Sequence, residues 1–139
     1  MRPLFDRFYG LRDRATAIVR RDGTLLVVRD RGFRHYSLPG GGVNRGESPE
    51  QAAIRELAEE TGLEATCVCP LLECNTSDVF NTYLVYGVEA VGEIRMNRRE
   101  LSDALWWDGT SSLPLFGYVR HVLARLDWPG NAGSGILTA

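Results

Sequence analysis

Three glutamates, Glu56, Glu59 and Glu60, are the residues of this chain whose spacing best suits chemistry. They stand at positions i, i+3 and i+4, and residues at these positions of a helix lie on one face. Like charges side by side repel each other, so a helix that keeps them is expected to bind a cation. Carboxylate oxygens are hard ligands that suit Mg²⁺ or Mn²⁺. The spacing therefore predicts a divalent metal site on a helix.

Capping residues define the ends of that helix. Ser48 is the predicted N-cap, Pro49 takes the first helical position, and Gln51 completes a capping box with Ser48. Helices often end at a glycine, and Gly62 is placed to end this one. The sequence therefore predicts a helix from about Pro49 to Thr61. The apolar residues at helical spacing predict the face that packs against a sheet: Ala53, Ile54, Leu57 and Ala58.

A β-hairpin is predicted ahead of this helix. The runs 15–20 and 24–30 are apolar and β-branched, and Asp22 and Gly23 stand between them. Asp-Gly between two such runs is a strong hairpin signal. The glycine-rich segment 32–46 is predicted to be a loop with one short extended piece.

The second half of the chain is predicted to contain further strands and a second helix. Residues 65–74, 81–91 and 105–107 have the composition of strands, and an amphipathic helix is predicted from about 115 to 126. This order predicts an α/β fold with a mixed sheet and helices on both of its faces. Residues 129–139 are small and rich in glycine, and are expected to be a flexible tail or to cross to a partner in a homodimer.

Length and composition limit the class of protein. A chain of 139 residues is expected to form one domain. The net charge of −2 shows no basic bias, which disfavours nucleic acid as a partner. No apolar run is long enough to cross a membrane, and the first ten residues do not resemble a signal peptide. The odd number of cysteines, Cys67, Cys69 and Cys74, predicts reduced thiols and a cytoplasmic location.

The segment around the glutamates resembles the Nudix box, the signature of the MutT/Nudix hydrolases. That signature is G-x5-E-x7-R-E-U-x-E-E-x-G-U, in which U is aliphatic. Every fixed position is filled here, by Gly41, Glu47, Arg55, Glu56, Leu57, Glu59, Glu60, Gly62 and Leu63. The resemblance implies a single Nudix domain over residues 1–139, folded as an α/β/α sandwich with a mixed β-sheet between helices. It also implies metal-dependent hydrolysis of a diphosphate linkage in a nucleoside diphosphate joined to a further group.

The resemblance also implies roles for residues of the box. Glu56, Glu59 and Glu60 are the implied metal ligands, and a backbone carbonyl of the glycine loop, at Gly40 or Gly41, adds a neutral ligand. The cation would bridge phosphate oxygens and lower the pKa of the attacking water.

Two other charged residues of the box are implied to support these glutamates, and the catalytic base is left open. Arg55 orients the glutamates, and Glu47 supports them from beneath. The base is either Glu56 within the box or Glu100 on a later loop, with Asp103 as a neighbouring rival. Glu100 is favoured as the base or as a further metal ligand.

Contacts to the substrate are expected from residues outside the box. An arginine can bind a phosphate through two hydrogen bonds, and an aromatic ring can stack on a base. The arginines that precede the box are Arg14, Arg29, Arg31 and Arg34, and the candidate aromatic residues are Phe33, Tyr36, Phe80 and Tyr83. Of these, Arg29, Arg34 and Phe80 are the predicted substrate-binding residues.

The identity of the substrate is less sharply indicated. A small nucleotide is expected, and the first prediction is a nucleoside triphosphate pyrophosphohydrolase of the MutT type. ADP-ribose or a nucleotide sugar is the alternative, although Asp78 and Val79 stand where the ADP-ribose type has proline. The dinucleoside polyphosphate type has tyrosine where this chain has Phe80 and Asn81, with Tyr83 just beyond.

Two further alternatives follow from other features of the sequence. A Nudix module that senses a nucleotide without cleaving it usually lacks a box glutamate, and this chain has them all. An enzyme that acts on RNA ends would show a basic track, of which Arg95, Arg98 and Arg99 form only a small cluster.

Overall fold

The computed structural model describes residues 12–126. The strands are β1 (Arg12–Ile18), β2 (Arg20–Arg21), β3 (Thr24–Asp30), β4 (Gly40–Gly42), β5 (Glu64–Pro70), β6 (Thr76–Ser77), β7 (Asn81–Val91) and β8 (Leu101–Trp107). The helices are α1 (Pro49–Thr61) and α2 (Gly117–Ala124), and a 3₁₀ turn spans Leu72–Cys74. None of the helices between residues 12 and 126 is long and apolar enough to cross a membrane.

The strands form two sheets. One has the order β4-β1-β7-β5, with β6 added on β7, and the other has the order β2-β3-β8. Strands β1 and β7 are parallel, whereas the other pairs are antiparallel. The predicted mixed α/β arrangement is therefore confirmed.

The two helices lie on opposite sides of these sheets because alternate residues of a strand point to opposite faces. Ala17 and Val19 pack in one core with Leu57 of α1. Ile18, between them, packs in the other core with Val119 of α2. Each core contains residues of both sheets, so the sheets and helices form an α/β/α sandwich.

The predicted hairpin is only partly correct. Its turn is confirmed, since Asp22 and Gly23 have φ of 52° and 78° and Arg21 pairs with Thr24. However, residues 12–18 pair with β7 and β4 instead of continuing the hairpin. The reason is burial, because this strand is buried on both faces and a two-stranded hairpin cannot cover both.

Several predicted boundaries also differ. The loop predicted at 32–46 contains strand β4, and the strand predicted at 65–74 ends at Pro70. The short strand predicted at 105–107 begins at Leu101, and the helix predicted at 115–126 is confined to Gly117–Ala124. The predicted tail at 129–139 lies outside the described residues.

Candidate active site

Helix α1 begins and ends as its sequence predicts. The Ser48 hydroxyl accepts from the N–H of Gln51 at 3.1 Å, and the Gln51 side chain accepts from the N–H of Ser48 at 2.9 Å. Gly62 has φ of 74°, and its N–H donates to the carbonyl of Ala58 at 2.9 Å. These local contacts fix the register in which α1 presents its glutamates.

The buried face of α1 differs from the prediction. Ile54 and Ala58 are exposed, whereas the carboxyl-bearing Glu60 is only 6% exposed. At about 100° per residue, Glu60 points within roughly 60° of both Ala53 and Leu57, which pack inward. The buried residues of α1 are Ala52, Ala53, Leu57, Glu60 and Thr61. Packing of the small alanines thus carries one of the three glutamates into the protein.

Strand β4 lies between β1 and the glutamates because it consists of glycine. A Cβ at Gly40 would collide with the carbonyl oxygen of Ala15, and a Cβ at Gly41 would collide with the carboxyl group of Glu56. The N–H of Gly40 donates to Oε1 of Glu60 at 3.1 Å. The glycines therefore allow the backbone to approach two box glutamates directly.

Arg55 connects the remaining carboxylates of the box. Its Nε and Nη2 donate to the two oxygens of Glu47 at 2.7 and 3.0 Å. Its Nη1 donates to Glu56 at 2.9 Å and to Glu59 at 3.1 Å. Nη2 also donates to the carbonyl of Gly42 at 3.0 Å. These contacts give Arg55 the geometry that its predicted orienting role requires, and the Arg55 bond is the main cause of a lowered pKa at Glu47.

Glu60 occupies the most unusual environment. Burial raises the pKa of its carboxyl group to about 8, against the opposing effect of the Gly40 hydrogen bond. The charges of Glu56 and Asp30 raise this pKa further, and that of Arg14 lowers it. A nearby cation strongly favours the ionised form of a buried carboxyl group that has like charges around it.

Glu56 and Glu100 lie within electrostatic range of each other. Burial raises the pKa of Glu56, the Arg55 contact opposes this rise, and the charges of Glu59 and Glu100 add to it. The loop that carries Glu100 is tied to the end of α1, because the N–H of Asn97 donates to the carbonyl of Glu60 at 2.9 Å. The structure thus brings Glu100 towards the box.

The rival base Asp103 is engaged elsewhere. It accepts a hydrogen bond from the hydroxyl of Tyr36, and its backbone pairs with Arg29. Glu100 instead is exposed and accepts at Oε2 from the side chain of Asn97 at 3.1 Å. Among the two downstream acids, the geometry favours Glu100.

The three predicted substrate contacts are not joined to the glutamates. Arg29 donates to the hydroxyl of Ser102 at 3.0 Å and lies 5.3 Å from the ring centre of Tyr36. Arg34 is exposed, and Phe80 is 73% exposed at the tip of the β6–β7 turn. Within residues 12–126, neither a hydrogen bond nor an ion pair links these three side chains to the box glutamates.

Two residues near Glu60 were not singled out from the sequence as site residues. Asp30 ends strand β3, and burial raises its pKa while Arg14 lowers it. Arg14 was one of several arginines that could bind phosphate, and its Nη2 donates to the carbonyl of Gly40 at 3.2 Å. Both positions follow from strand pairing, for which the local sequence carries no signal.

The carboxylates of this site are of a type that binds a hard divalent cation, although they do not converge on a single point. Across residues 12–126, no three His, Cys, Asp or Glu side chains are arranged to hold a metal ion as they stand. The contacts of Arg55 draw Glu56 and Glu59 towards its guanidinium, and the Glu59 side chain is 49% exposed. Carboxylate oxygens with like-charged neighbours are nevertheless the ligands that such cations prefer.

Comparison with known proteins identifies the family of this chain. The family model described as NUDIX domain matches residues 10–117 of the chain. The chain belongs to the Nudix family. Nudix hydrolases generally require a divalent metal, and the glutamates of α1 occupy the box of that family.

The curated relatives match only part of this Nudix protein. An RNA pyrophosphohydrolase of Proteus mirabilis is 52% identical over 46 residues, which are 33% of this chain and 26% of that protein. The chain thus spans about a quarter of the length of the curated relatives it matches.

The solved structures cover most of the fold. A Nudix hydrolase family member from Chromobacterium violaceum has a TM-score of 0.68 and 29% identity, covering 88% of this chain and 84% of that one. A MutT Nudix hydrolase from Burkholderia pseudomallei has a TM-score of 0.70 and 24% identity, covering 83% and 97% respectively.

Proposed function

We propose that this Nudix protein hydrolyses a diphosphate linkage in a small nucleotide, with a nucleoside triphosphate as the first candidate substrate and ADP-ribose or a nucleotide sugar as the alternative. The observation that carries the proposal is the position of Glu60, buried against the N–H of Gly40 and close to further carboxylates. A buried carboxylate with carboxylates around it is a group that would bind a divalent cation. Membership of the Nudix family supports the same reaction class.

The proposed metal is Mg²⁺ or Mn²⁺. Glu56, Glu59 and Glu60 would hold it, with the carbonyl of Gly41 and the carboxylate of Glu100 as further ligands. When bound, the cation neutralises phosphate charge and lowers the pKa of the attacking water.

The side chains around this site have separate proposed roles. Arg55 positions Glu56 and Glu59, and Glu47 holds the guanidinium in place. Glu100 accepts the proton of the attacking water, because its carboxylate is exposed and Asn97 donates to Oε2 alone. Glu56 is the alternative base, although it is less exposed and the positive charge of Arg55 opposes its protonation.

Carboxylate-to-amide substitutions test the metal site. Glu59→Gln and Glu60→Gln should each reduce kcat by about 100-fold or more, because each removes a charge that holds the cation. Glu50→Gln is the matched control, since Glu50 is an exposed glutamate in the first turn of the same helix. Release of phosphate or mononucleotide from a nucleotide panel with Mg²⁺ measures the rate.

The outcomes separate the alternatives. Near-normal turnover by the Glu59 and Glu60 variants would overturn the metal site. No product from any nucleotide in the panel would favour a sensing module over an enzyme. The pH–rate profiles of Glu100→Gln and Glu56→Gln at saturating Mg²⁺ identify the base, because loss of the base removes its own contribution to the acidic limb of the profile.

A second candidate substrate is the 5′-triphosphate end of RNA. The curated relative named above is an RNA pyrophosphohydrolase. In addition, Arg95, Arg98 and Arg99 are exposed on the loop that is tied to the end of α1, beside Glu100. A 5′-triphosphorylated oligonucleotide belongs in the panel, and cleavage that weakens steeply with salt and with Arg98→Gln plus Arg99→Gln would favour RNA.

The proposed location and assembly state rest on general features. Cys67, Cys69 and Cys74 are free thiols, which supports a reducing compartment such as the cytoplasm. A homodimer stays a prediction, and sedimentation of the full chain measures it directly.

A further inference from the structure

The loop between β7 and β8, residues 92–100, is attached by its backbone to the end of α1. The N–H groups of Arg95 and Asn97 donate to the carbonyls of Thr61 and Glu60, at 2.7 and 2.9 Å. The last carbonyl groups of a helix have no partner within the helix itself, and here the loop supplies one. The loop is therefore fixed at the residue that carries the buried carboxyl group of the box.

Asn97 also begins a tight turn that ends at Glu100. Its carbonyl accepts from the N–H groups of Glu100 and Leu101, at 3.2 and 2.9 Å. Its side-chain Oδ1 accepts from the N–H of Arg99 at 3.0 Å, a contact by which asparagine commonly stabilises a turn. The backbone of Glu100 is thus placed relative to Asn97.

Arg31 holds the same turn from the end of β3. Its N–H donates to the carbonyl of Glu100 at 2.9 Å, and its Nη1 donates to the carbonyl of Arg98 at 3.0 Å. Both backbone groups of Glu100 are therefore engaged, one by Asn97 and the other by Arg31. Only the torsions of the Glu100 side chain are left to be fixed.

The side chain of Asn97 fixes the carboxylate of Glu100. Its Nδ2 donates to Oε2 at 3.1 Å, and no other group between residues 12 and 126 donates a hydrogen bond to this carboxylate. An exposed glutamate without such a contact would sample several rotamers, whereas a hydrogen bond to a charged acceptor is strong enough to favour one. Asn97 thus restricts one carboxylate oxygen of Glu100 and leaves the other exposed.

The carboxylate held by Asn97 acts on the box. Burial raises the pKa of Glu56, and the charge of Glu100 adds to that rise. Asn97 therefore contacts two residues of the candidate site, Glu60 through its backbone N–H and Glu100 through its side chain. No other residue of the loop between β7 and β8, all of which the structure describes, makes both contacts.

We propose that Asn97 is a positioning residue, which holds the carboxylate of Glu100 in a fixed place relative to the end of α1. The proposal rests on the proposed function, because Asn97 acts through the proposed base of that reaction. It follows that loss of the Nδ2 donor lowers kcat, since Glu100 is then less often placed to accept the proton of the attacking water. KM should stay the same, because Asn97 is not assigned a contact with the substrate.

A merely structural Asn97 would behave differently. If Asn97 only stabilised the turn, its Oδ1 and its carbonyl would suffice. Aspartate and serine at this position keep a side-chain oxygen that can accept from the N–H of Arg99, and both lack the amide donor that reaches Glu100. Asn97→Asp and Asn97→Ser therefore separate the two roles.

Steady-state hydrolysis of the preferred nucleotide at saturating Mg²⁺ is the first measurement. Asn97→Ser should lower kcat by about tenfold and change KM by less than about twofold. Asn97→Asp should lower kcat at least as far, because the added carboxylate repels Glu100. Asn75→Ser is the matched control, since the Oδ1 of Asn75 accepts from the N–H of Val85 at 2.8 Å, and this variant should keep the kcat of wild type.

A double-mutant cycle shows whether Asn97 acts through Glu100. In a protein that already carries Glu100→Ala, Asn97→Ser should change kcat by less than about twofold, because no carboxylate is left to position. A residue that only stabilised the turn would lower kcat by the same factor with and without Glu100.

Nuclear magnetic resonance of the full chain without divalent metal tests the contact independently of turnover. The side-chain amide resonances of Asn97 are identified by their absence in Asn97→Asp. They should move upfield in Glu100→Ala, because the protons lose a charged acceptor. Glu93→Ala is the control, since Glu93 is an exposed glutamate of the same loop, and it should leave these resonances in place.

The proposal is overturned by any of three results. Asn97→Ser and Asn97→Asp could both turn over at the wild-type rate, Asn97→Ser could lower kcat equally with and without Glu100, or Glu100→Ala could leave the Asn97 resonances unmoved. The first two results would leave the proposed function intact. If wild type hydrolyses no nucleotide while the Asn97 resonances respond to Glu100→Ala, the proposed function fails and the contact by which Asn97 positions Glu100 stands.

Discussion

The two sides of the sandwich are built in different ways. On the α1 side, Arg55 and the glutamates that it contacts lie between residues 47 and 59, so their contacts span at most eight positions of the chain. On the α2 side, Tyr118 binds the backbone of Leu38 across 80 positions, and Arg14 reaches Gly40 across 26. The contacts of Arg55 with these glutamates are thus set by spacing along the chain near one helix, whereas the contacts of Tyr118 and Arg14 are set by the packing of distant segments.

This difference predicts how each side responds to substitution. A change on the α1 side should affect the reaction and leave the fold intact, because the helix and its caps persist. A change on the α2 side should affect the stability of the fold, because its contacts exist only when distant segments are packed. The predictions below test this contrast, from the largest expected effect to the smallest.

Among substitutions outside the proposed metal ligands, removal of Arg55 should have the largest effect on the rate. Arg55→Gln loses the contacts with Glu47, Glu56 and Glu59, and the freed carboxylates repel one another. The rate of nucleotide hydrolysis with Mg²⁺ should fall by about 10- to 100-fold, as is usual for residues that orient metal ligands. Arg45→Gln, at an exposed position, is the control. Equal rates for the two variants would contradict the proposed role of Arg55.

A methyl group on β4 should have the next largest effect. Gly41→Ala places a Cβ against the carboxyl group of Glu56, so that side chain must move, and kcat should fall by about tenfold. Gly42→Ala is the matched control, because its Cβ would meet only Arg12, at an ordinary 3.7 Å. An unchanged kcat in Gly41→Ala would show that Glu56 does not need its present position.

The stability of the metal-free protein should depend on pH through Glu60. Its pKa is about 8 when folded and near 4.5 when unfolded, so between these values the unfolded chain has lost a proton that the folded protein keeps. The free energy of unfolding should therefore fall as pH rises from 4.5 to 8, by roughly 4 kcal/mol at most.

Denaturant titrations over this pH range measure that dependence. In Glu60→Gln the decline should be much smaller, because the titrating group is absent. Addition of Mg²⁺ at pH 8 should stabilise wild type more than this variant. An identical pH dependence of wild type and Glu60→Gln would exclude Glu60 as its source.

The smallest expected effect concerns the tyrosine pair. Tyr118→Phe leaves the N–H of Leu38 without its acceptor and should lower the free energy of unfolding by about 1 to 2 kcal/mol. Tyr83→Phe removes one of three donors to Asp78 and should cost less, about 0.5 to 1 kcal/mol. Urea titrations at one pH compare the two, and a larger loss for Tyr83→Phe would contradict this ranking.

Much of the α1 side was predictable because its signals are local. Ser48, Gln51 and Gly62 identify both ends of the helix, and the structure confirms these ends. The position of Arg55 four residues before Glu59 also predicts their contact, which is present at 3.1 Å. Each of these signals acts within one or two helical turns.

The errors arose where burial or pairing decides the outcome. Ile54 was predicted to face inward and is exposed, because the sheet packs against the smaller Ala52 and Ala53. The glycines of β4 were predicted to lie in a loop, yet they form a strand because they pair with β1. Hydrophobicity alone does not show which helix face a sheet will cover.

By itself, the sequence determined the ends of α1, the angular positions of its glutamates and the family to which the chain belongs. The tertiary structure alone decided that Glu60 is buried beside Gly40 and that Arg14 contacts the same glycine and pairs with Tyr83. The physical reason is the range of the forces involved. Capping and helical spacing act over a few residues, whereas burial and strand pairing depend on segments that meet only in the folded protein.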